Sequence, residues 1–487
     1  MRTNFLIIGS GISGLNFALH AAKKGKVVIV TKKKLIDSNT NFAQGGIAAV
    51  LDKTDDIQQH IKDTLKAGSY HNNRKAVKFM VKNSAEAIYR LIELGVHFER
   101  EKGELKLTNE GGHSKRRIAY VGDYTGQEIE RILVKRVKEH LNITILEDTF
   151  ALDLITKNKI CFGAQTIQNN KSLTILSDQT ILATGGIGQL FENTTNPEIA
   201  TGDGIAMAVR AGCKVQDLEF IQFHPSALAK KISPRFLISE TVRGEGAKLL
   251  NSKGEYFMAK RHPQKDLAPR SVVAKEVYQE LKEGPVFLDI RHKKADYLKK
   301  RFPQIYAKLK TFKIAMAKDL IPITPAAHYL CGGIKTDLNG RTNVKNLFAF
   351  GEVTCTGVHG ADRLASNSLL EALVFSNQIA KQLKPQKSKS PTTKSLNLTP
   401  LNSKQTHLST QLKQKIQAIM WNYAGIVRDR KAIKTIAIPL MKQILKKLPK
   451  TTNIQIAEVR NMAETSLLIL KAAQKRQKTL GCHYSLT

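Results

Sequence analysis

Four basic side chains stand in local contexts that suit the binding of a dicarboxylic acid. They are His224, Arg270, His328 and Arg363. Arginine gives permanently charged, bidentate recognition of a carboxylate, so this set can hold both ends of a small diacid. One acid, Glu110, lies in the glycine-rich segment Glu110-Gly111-Gly112-His113-Ser114. Because a carboxylate beside such cations suits an amino group, the sequence predicts an amino dicarboxylate as the substrate.

The beginning of the chain carries a glycine pattern typical of nucleotide binding. Gly9, Ser10, Gly11, Ile12, Ser13 and Gly14 lie between a predicted strand and a predicted helix. Glycines there allow a tight turn and a close approach of the backbone to a pyrophosphate, whose charge the helix N-terminus favours. After the second predicted strand, Lys32 stands where an NAD site usually has a ribose-binding Asp or Glu. NAD is therefore disfavoured, and Lys32 is either a solvated strand end or a contact to the adenosine or phosphates.

Two later segments favour FAD as the cofactor. Ala183-Thr184-Gly185-Gly186 and Gly351-Glu352 each follow a predicted buried strand. Each alone is compatible with an ordinary strand-to-loop turn. In combination with the N-terminal glycines, they predict a flavin site.

The charge of the chain is strongly basic. The formal net charge is +36, from 77 Lys and Arg against 41 Asp and Glu. In some proteins such an excess serves to bind nucleic acids, anionic membrane surfaces or acidic partners. In others the basic residues only cover solvated helix faces. No aromatic residues alternate with the lysines and no nucleic-acid motif is present, so we expect no nucleic-acid partner. Binding of a polyanion by the basic C-terminal region remains the alternative.

Composition also limits the compartment. No run approaches the roughly 20 apolar residues of a membrane helix, so no membrane span is predicted. The N-terminus does not resemble a secretory signal, and the five cysteines are scattered without a CxxC pair. These features predict a cytoplasmic protein with reduced thiols and no bound metal.

The order of predicted elements defines the fold class. We expect an α/β FAD-binding Rossmann-like domain with an inserted α+β capping domain and a C-terminal helical bundle. Residues 1–217 and 330–385 are assigned to the FAD-binding domain and residues 218–329 to the capping or substrate domain. Residues 386–407 have a linker composition, and residues 408–487 form the predicted helical domain. A continuous helix is predicted over 72–94, and separate strands over 172–176 and 181–184.

Several longer segments occur in a fixed order along the chain. They are Asn39-Thr40-Asn41-Phe42-Ala43-Gln44-Gly45-Gly46, Gly202-Asp203-Gly204, Gln222-Phe223-His224-Pro225, Glu240 to Gly246, Ala268-Pro269-Arg270, and His359-Gly360-Ala361-Asp362-Arg363 through Leu370. With them the chain resembles the succinate dehydrogenase/fumarate reductase flavoprotein superfamily over essentially its whole length. Within that superfamily it is most similar to the aspartate oxidase branch.

The resemblance implies roles for individual residues. Besides residues 9–14, it implies that FAD is bound by Lys32, Asn39, Thr40, Asn41, Phe42, Ala43, Gln44, Gly45, Gly46, Thr184, Gly185, Asp203, Glu352, Ser368 and Leu369. The substrate would be bound by His224, His328 and Arg363, with Gln222 and Ser239 as neutral donors. Arg270 would transfer a proton, and Glu240 and Arg243, one helical turn apart, would form its relay.

Three features select the aspartate oxidase branch. Asn39 stands where membrane-complex flavoproteins have a histidine joined covalently to FAD, so the resemblance implies noncovalent FAD. The segment with Glu110 resembles a loop that lacks this acid in succinate enzymes. The run Trp421-Asn422-Tyr423-Ala424-Gly425-Ile426-Val427-Arg428 resembles the helical domain of this branch. All three lead to the same expectation.

The expected activity is the oxidation of L-aspartate to iminoaspartate, the first step of NAD biosynthesis toward quinolinate. Oxygen or fumarate would reoxidise the flavin, and quinolinate synthase would take the product. Fumarate reduction is expected as a second activity. A soluble fumarate reductase or succinate dehydrogenase flavoprotein is the alternative function.

Each assignment competes with an ordinary structural role. Glu110 would otherwise be a solvated or helix-capping acid, and Arg270 and Arg363 would be structural ion-pair partners. His224 would be a hydrogen-bonded core histidine. One departure concerns Asp362, because the family usually has Asn before the arginine. Its extra negative charge either weakens the carboxylate-binding set or pairs with it.

Overall fold

The computed structural model describes residues 1–383, 403–448 and 453–486. The first part of the chain contains β1 (Arg2–Ile8), α1 (Ile12–Ala21), β2 (Val27–Val30), β3 (Ile47–Ala48), α2 (Ile57–Ala67), α3 (Arg74–Lys82), α4 (Ser84–Leu94), β4 (Arg100–Glu101), β5 (Glu104–Leu105), β6 (Leu107–Thr108), β7 (Ile118–Ala119), α5 (Thr125–Lys138), β8 (Ile143–Leu146), β9 (Thr149–Lys157), β10 (Ile160–Gln168), β11 (Lys171–Leu182), α6 (Asp203–Arg210) and β12 (Val215–Gln216).

The middle part contains β13 (Ile221–Leu228), α7 (Glu240–Gly244), β14 (Lys248–Leu250), α8 (Met258–Arg261), α9 (Arg270–Glu280), β15 (Val286–Asp289), α10 (Ala295–Arg301), α11 (Pro303–Thr311) and β16 (Ile321–Leu330). It is followed by β17 (Gly333–Lys335), β18 (Leu347–Ala349), β19 (Thr354–Cys355) and α12 (Asn367–Gln382). The last part contains α13 (Ser403–Ala424), β20 (Val427–Arg428), α14 (Arg430–Ala432), α15 (Ile438–Lys447), α16 (Ile454–Lys475) and β21 (Tyr484–Ser485).

The main sheet has the strand order β8-β2-β1-β11-β10-β9, with β18 also paired to β11. Strands β8, β2, β1, β11 and β18 pair in parallel, whereas β9 and β10 are antiparallel. Alternate residues of β1 enter two different hydrophobic clusters, with Phe5 and Ile7 in one and Leu6 and Ile8 in the other. The sheet is therefore buried on both faces, as its nearly continuous apolar strands require.

Strand β11 corrects the prediction of two strands over 172–176 and 181–184. It is one strand of 12 residues that pairs antiparallel with β10 through its first half and parallel with β1 through its second. The polar residues Asp178 and Thr180 lie in its middle, and both are buried and paired. Asp178 accepts a hydrogen bond from Asn4, and the Thr180 hydroxyl bonds that of Ser177.

The predicted helix over 72–94 is also interrupted. Asn83 separates α3 from α4, and its side-chain amide donates to the carbonyl of Phe79 at 2.8 Å. Asparagine side chains compete in this way with the backbone bonds of a helix.

A second sheet, with the order β13-β16-β15-β14, is antiparallel throughout. Its strands come from the segment between β12 and β17, which lies in sequence between two parts of the main sheet. Strand β13 is buried along its whole length and carries Gln222 and His224. Its partner β16 carries His328, so the pairing of these two strands brings both histidines to one place.

The C-terminal helices pack on one face of the main sheet. Residues of α13 and α16, among them Ile416, Met420 and Ile469, share a hydrophobic cluster with Leu6 and Met207. The predicted linker, residues 386–407, lies outside the described residues up to position 402. Residues 403–407 belong to α13, so the predicted end of the linker is wrong. Composition alone does not distinguish a polar first helical turn from a linker.

Within the described ranges, no helix has the length and apolar character needed to cross a membrane.

Candidate active site

A cavity connects the glycine turn after β1 with the antiparallel sheet. Most of the predicted cofactor residues line it: Gly9, Ser10, Gly11, Ile12, Ser13, Lys32, Asn39, Thr40, Phe42, Ala43, Gln44, Gly45, Gly46, Thr184, Gly185, Asp203, Glu352, Ser368 and Leu369. Predicted substrate and catalytic residues line it as well: Glu110, His224, Ser239, Glu240, Arg270, His328 and Arg363. The lining residues do not include Gly14, Asn41, Gln222 or Arg243. The sequence prediction thus converges on one cavity.

The glycines at the N-terminal end of the cavity serve two purposes. Gly9 has a φ of +114°, and a Cβ on it would lie 2.1 Å from the carbonyl oxygen of Ala183. A Cβ on Gly14 would lie 2.3 Å from the carbonyl oxygen of Gly9, so these two glycines close the turn by packing. A Cβ on Gly11 would meet nothing nearer than the Thr40 hydroxyl at 3.4 Å. Gly11 therefore keeps cavity space open at the N-terminus of α1, where a phosphate is favoured.

Several buried polar atoms of the wall have no hydrogen-bond partner among the described residues. They include Asn39 Oδ1, Gln44 Oε1 and Thr184 Oγ1. Buried polar groups in proteins are nearly always paired, so these atoms indicate a bound group that carries its own donors and acceptors. Asn41 Oδ1 is likewise buried and unpaired, although Asn41 does not line the cavity. The cavity wall fits a large polar cofactor.

Glu352 and Asn39 form a pair at the cavity wall. The Asn39 side-chain amide donates to Glu352 Oε2 at 3.1 Å, and the backbone N–H of Leu330 donates to Oε1 at 3.0 Å. A Cβ on Gly186 would lie 2.2 Å from Glu352 Oε1, which explains a glycine there. Burial raises the pKa of Glu352 to about 7.

Lys32 is neither a solvated strand end nor an unpaired cation. Its ammonium donates to Thr201 Oγ1 at 2.7 Å, Asp203 Oδ2 at 2.8 Å and Glu458 Oε1 at 2.6 Å. The side chain is 17% exposed, and Lys32 lines the cavity. Glu458 belongs to α16, a contact that the sequence did not indicate.

The two histidines at the other end of the cavity are neutral hydrogen-bonding groups. Their rings lie 5.0 Å apart between centroids. Burial, followed by the charge of Arg270, lowers the pKa of both His224 and His328 well below the ordinary value. Nδ1 of His224 accepts the backbone N–H of Ser226 at 3.3 Å, so the proton of the neutral ring resides on Nε2. His328 Nδ1 is 2.8 Å from the Thr195 hydroxyl.

Gln222 holds the two arginines of the site together. Its Oε1 accepts from Arg270 Nη1 at 3.1 Å and from Arg363 Nη2 at 3.0 Å. Arg363 also stacks over the ring of Tyr329 at 4.4 Å and donates to Ser368 Oγ at 3.2 Å. Its Nε is buried without a partner among the described residues. Gln222 therefore positions the guanidinium groups and leaves part of Arg363 available for a ligand.

Asp362 acts on Gln222 from behind. Its Oδ1 accepts from the Gln222 side-chain amide at 2.6 Å, and its Oδ2 accepts from the backbone N–H of Ser271 at 3.2 Å. Cys482 donates its thiol to Oδ1 at 3.1 Å. The negative charge is thus used to orient Gln222 and is not directed into the cavity.

Glu240 is the first residue of α7 and pairs with Arg270 at the first residue of α9. The distance from Glu240 Oε2 to Arg270 Nε is 2.5 Å, and to Arg243 Nη2 it is 3.6 Å. Burial alone would raise the pKa of Glu240, but the two arginines outweigh it and lower the pKa. A Cβ on Gly111 would lie 2.1 Å from Glu240 Oε1, so the glycine loop admits this carboxylate. Ser239 lines the cavity and also caps α7.

Glu110 is buried, with 3% of its surface exposed. Its Oε1 accepts from the Thr241 hydroxyl at 3.0 Å and its Oε2 from the Ser366 hydroxyl at 2.6 Å. Burial, followed by repulsion from Glu240, raises its pKa above the ordinary value. A solvated surface acid or a helix cap does not fit this environment.

The loop that carries Glu110 is fastened at its far end. Ser114 donates both its backbone N–H and its hydroxyl to Asp63 Oδ2, at 2.9 and 2.7 Å. Arg117, which is fully buried, donates to the same oxygen at 2.6 Å and pairs with Asp55. The buried cluster fixes the loop in place.

Sequence reasoning missed several residues of the cavity wall and the supports of Glu110. The missed wall residues include Ser38, Phe150, Thr195, Pro197, Leu237, Tyr329 and Ser366. The missed residues that hydrogen-bond Glu110 are Thr241 and Ser366. Thr241 and Ser366 lie inside motifs that were recognised, but nothing in residue type or spacing shows which hydroxyl faces Glu110.

Comparison with known proteins first defines the class. A family model described as an FAD binding domain matches residues 4–369. An E. coli quinol fumarate reductase mutant superposes with a TM-score of 0.89 at 25% identity, covering 100% of this chain and 91% of that one. Mycobacterium smegmatis Sdh1 superposes with a TM-score of 0.82 at 29% identity, covering 100% of this chain and 89% of that one. The protein is a flavoprotein with FAD as its cofactor.

Sequence relatives narrow the assignment. L-aspartate oxidase 1 of Ralstonia nicotianae is 40% identical, with 100% of this chain and 95% of the relative covered. L-aspartate oxidase of Yersinia pestis is 41% identical, with 99% of this chain and 96% of the relative covered. The chain belongs to the L-aspartate oxidase family, and the predicted resemblance is confirmed.

Proposed function

We propose that the protein oxidises L-aspartate to iminoaspartate with noncovalently bound FAD. The observation that carries this function is the buried carboxylate of Glu110 on the wall of a cavity that also presents Arg270, Arg363 and two neutral histidines. Arg363 and the two histidines suit the two carboxylates of a diacid, and Glu110 suits its ammonium group. The names of the full-length relatives agree with this substrate.

Substrate orientation follows from the hydrogen-bonding groups. Arg363 has a buried Nε without a partner among the described residues, and His224 carries its proton on Nε2. Both groups donate to carboxylate oxygens without a change of protonation. Because Gln222 already fixes Arg363, the site is arranged before the substrate binds, which is the condition for electrostatic preorganisation.

The cofactor residues are proposed to hold FAD without a covalent bond. Asn39 has an amide that donates to Glu352 and has no nucleophilic nitrogen for attachment. The pyrophosphate would lie at Gly11 and the N-terminus of α1, and the unpaired atoms of Gln44 and Thr184 would meet the flavin or its ribityl chain. When bound, FAD supplies the acceptor for the hydride that leaves the α-carbon.

Proton movement is assigned to Arg270 and Glu240. Burial opposes protonation of Arg270, but Glu240 and Glu110 raise its pKa, so its proton is tightly held. In fumarate reduction, a proton that leaves Arg270 for the substrate carbon must be replaced at once, and Glu240 Oε2, at 2.5 Å from Nε, is the neighbouring group through which it would pass. Arg243 behind Glu240 completes the relay.

The segment 218–329 is proposed to cap the cofactor cavity. It contributes His224, Ser239, Glu240, Arg270 and His328 to the wall, while residues 1–217 and 330–385 contribute the cofactor side. The C-terminal helices are proposed to form a further domain. The substrate would then lie between the capping segment and the flavin.

The place in metabolism follows from the proposed reaction. Oxygen would reoxidise the flavin to give hydrogen peroxide, and fumarate would do so with formation of succinate. Iminoaspartate would pass to quinolinate synthase in the route to NAD. Fumarate fits the same cationic set as aspartate, and the fumarate reductase likeness agrees with this acceptor.

The test compares substrates in anaerobic stopped flow, with flavin absorbance as the signal. L-aspartate should bleach the flavin rapidly, and D-aspartate and succinate should do so slowly or not at all. Fumarate or oxygen should then restore the absorbance. Rapid bleaching by succinate without bleaching by L-aspartate would instead establish a succinate dehydrogenase type of flavoprotein.

A further inference from the structure

Two residues of the cavity wall, Lys32 after β2 and Asp203 at the start of α6, are held by the C-terminal helix α16. The Lys32 ammonium has three N–H donors, and Thr201, Asp203 and Glu458 accept all three. Asp203 Oδ1 accepts in addition from the side-chain amide of Asn461 at 2.8 Å. Lys32 and Asp203 are cavity residues, whereas Glu458 and Asn461 are not among the residues that line it.

The contacts come from one face of α16. Glu458, Asn461 and Thr465 are spaced by three and four residues, so they lie on the same side of the helix. Thr465 donates to the carbonyl oxygen of Gly202 at 3.2 Å, immediately before Asp203. A Cβ on Gly202 would lie 3.0 Å from Thr465 Cγ2, so the helix and this loop are closely packed.

Lys32 lies just after β2, where dinucleotide-binding sites usually carry a ligand-binding acid. In many dinucleotide sites an acid at the end of the second strand binds the ribose. Here the strand end is a lysine, and the carboxylates reach the same place from α6 and α16. Without Glu458, one of the three N–H donors of Lys32 would lose its charged acceptor. The Lys32 side chain would then be held less firmly at the cavity wall.

We infer that Glu458 is a positioning residue for the adenosine part of FAD and that α16 and FAD binding are thermodynamically coupled. Glu458 acts by holding Lys32, and Asn461 acts by holding Asp203. FAD should then favour the docked state of α16, and α16 should raise the affinity for FAD by the same factor. This inference rests on the assignment of FAD as the cofactor.

The test measures the Kd for FAD in apoprotein by quenching of flavin fluorescence, without any substrate. Glu458→Gln can keep an oxygen near Lys32 but removes the negative charge, so the Kd should rise about tenfold. Glu464→Gln is the matched control, because Glu464 also joins α16 to α6 by an ion pair, with Arg210, and neither residue lines the cavity. The substitution leaves the separate hydrogen bond from Arg210 to Asn461 in place. It should leave the Kd within about twofold of wild type. Equal Kd values for the two variants would overturn the inference.

A double-mutant cycle with Lys32→Met separates positioning from general stability. If Glu458 acts through Lys32, Glu458→Gln should add little to the Kd once Lys32 is replaced. Full additivity of the two losses would contradict the mechanism. Should Glu458→Gln not fold, Asn461→Ala provides the second variant, with a several-fold increase in Kd expected and an unchanged Kd counting against the inference.

Hydrogen exchange supplies an independent readout. In wild type, FAD should slow the exchange of backbone amides in Ile454–Lys475, and in Glu458→Gln this protection should be reduced. Absence of FAD-dependent protection in wild type would refute the coupling. Failure of wild type to bind FAD at all would refute the cofactor assignment instead, so the two failures are distinguishable.

Discussion

The two ends of the cavity, which we propose bind the nucleotide and the substrate, are built by different means. The nucleotide end is built largely from backbone, with Gly9 and Gly14 closing a turn and Gly11 leaving space beside the N-terminus of α1. The substrate end is built from charged and polar side chains that separate elements and loops bring together. A backbone site depends on a few residues that are adjacent in sequence, whereas the side-chain site depends on tertiary packing.

The difference extends to electrostatics. At the substrate end, buried charges need partners, because an unpaired buried charge is costly. Glu240 pairs with Arg270, and Gln222 accepts from both arginines. The neutral Gln222 brings two cations close without removing their charge. Substitutions at this end should therefore damage catalysis more than FAD binding.

The largest effect is expected for Arg270→Lys. Lysine keeps the charge but loses the paired contacts to Glu240 and Gln222, so aspartate oxidation and fumarate reduction should both fall by roughly 10³-fold in kcat. The Kd for FAD should remain near that of wild type. Steady-state rates and flavin fluorescence measure the two quantities, and a parallel loss of FAD binding would remove the proposed separation of the two ends.

Glu110→Gln should separate two activities at the same end. Without the carboxylate the ammonium of L-aspartate loses its partner, so kcat/KM for aspartate should fall about 100-fold. Fumarate has no ammonium, and its reduction should change less than about threefold. Equal losses would leave Glu110 without its proposed role.

The pH profile provides a second readout of Glu110. Its pKa is raised by burial and by Glu240, and the carboxylate form is the one that binds an ammonium. In wild type, kcat/KM for aspartate should therefore decrease as the pH falls through a pKa above the ordinary value of a glutamate. The Gln variant should lack this acidic limb, and Glu464→Gln should retain it.

The nucleotide end could be predicted from the sequence in more detail than the substrate end. Gly9, Gly11 and Gly14 are recognisable because they lie within six residues and serve one turn. Family resemblance located Arg270, Arg363 and Glu110, and the structure brings all three to one cavity. Neither pattern nor resemblance showed that Gln222 would lie behind the arginines or that Thr241 and Ser366 would hold Glu110. Those facts depend on side-chain directions set by packing between distant elements.

Lys32 illustrates the same limit at the nucleotide end. Its position after β2 was evident, but its partner Glu458 is more than 400 residues away. Strand β11 is a local example, because its buried polar residues resemble a turn until Asn4 and Ser177 are seen to pair with them. Sequence patterns describe one element at a time, whereas these contacts belong to pairs of elements.

Gly11→Ala tests the backbone end. A Cβ there meets no atom closer than 3.4 Å, so the apoprotein should fold normally. The methyl group would occupy space that the pyrophosphate needs, and the Kd for FAD should rise by at least about tenfold. Gly9→Ala is the contrasting variant, since its Cβ would overlap the Ala183 carbonyl and should destabilise the fold itself. Thermal unfolding of both apoproteins distinguishes the two outcomes.

The raised pKa of Glu352, a residue of the cavity wall, should make the free energy of unfolding depend on pH. Its pKa is about 7 in the folded protein because of burial, against an ordinary 4.5. The folded state therefore binds more protons than the unfolded state between these values, and stability should decrease as the pH rises from about 4.5 to 7. The contribution should be on the order of 1–2 kcal/mol, reduced from the full shift because the group lies at the cavity wall. Denaturant unfolding of apoprotein at several pH values measures it, and Glu352→Gln should flatten that part of the profile.

The smallest effect is expected for Asp362→Asn. The aspartate orients Gln222 and accepts from the backbone of Ser271, and it does not line the cavity. Asparagine can keep the bond from Gln222 through its oxygen, but its amide cannot accept from Ser271, so one hydrogen bond is lost. A loss of about 1 kcal/mol spread over the Arg270 and Arg363 pair should raise the KM for L-aspartate by less than about fivefold, as steady-state kinetics would show. If the KM instead fell by more than about tenfold, the negative charge of Asp362 would be acting directly on the substrate carboxylates by repulsion. The comparison between the nucleotide end, built from backbone, and the substrate end, built from side chains, would then have to include the residues behind the cavity wall.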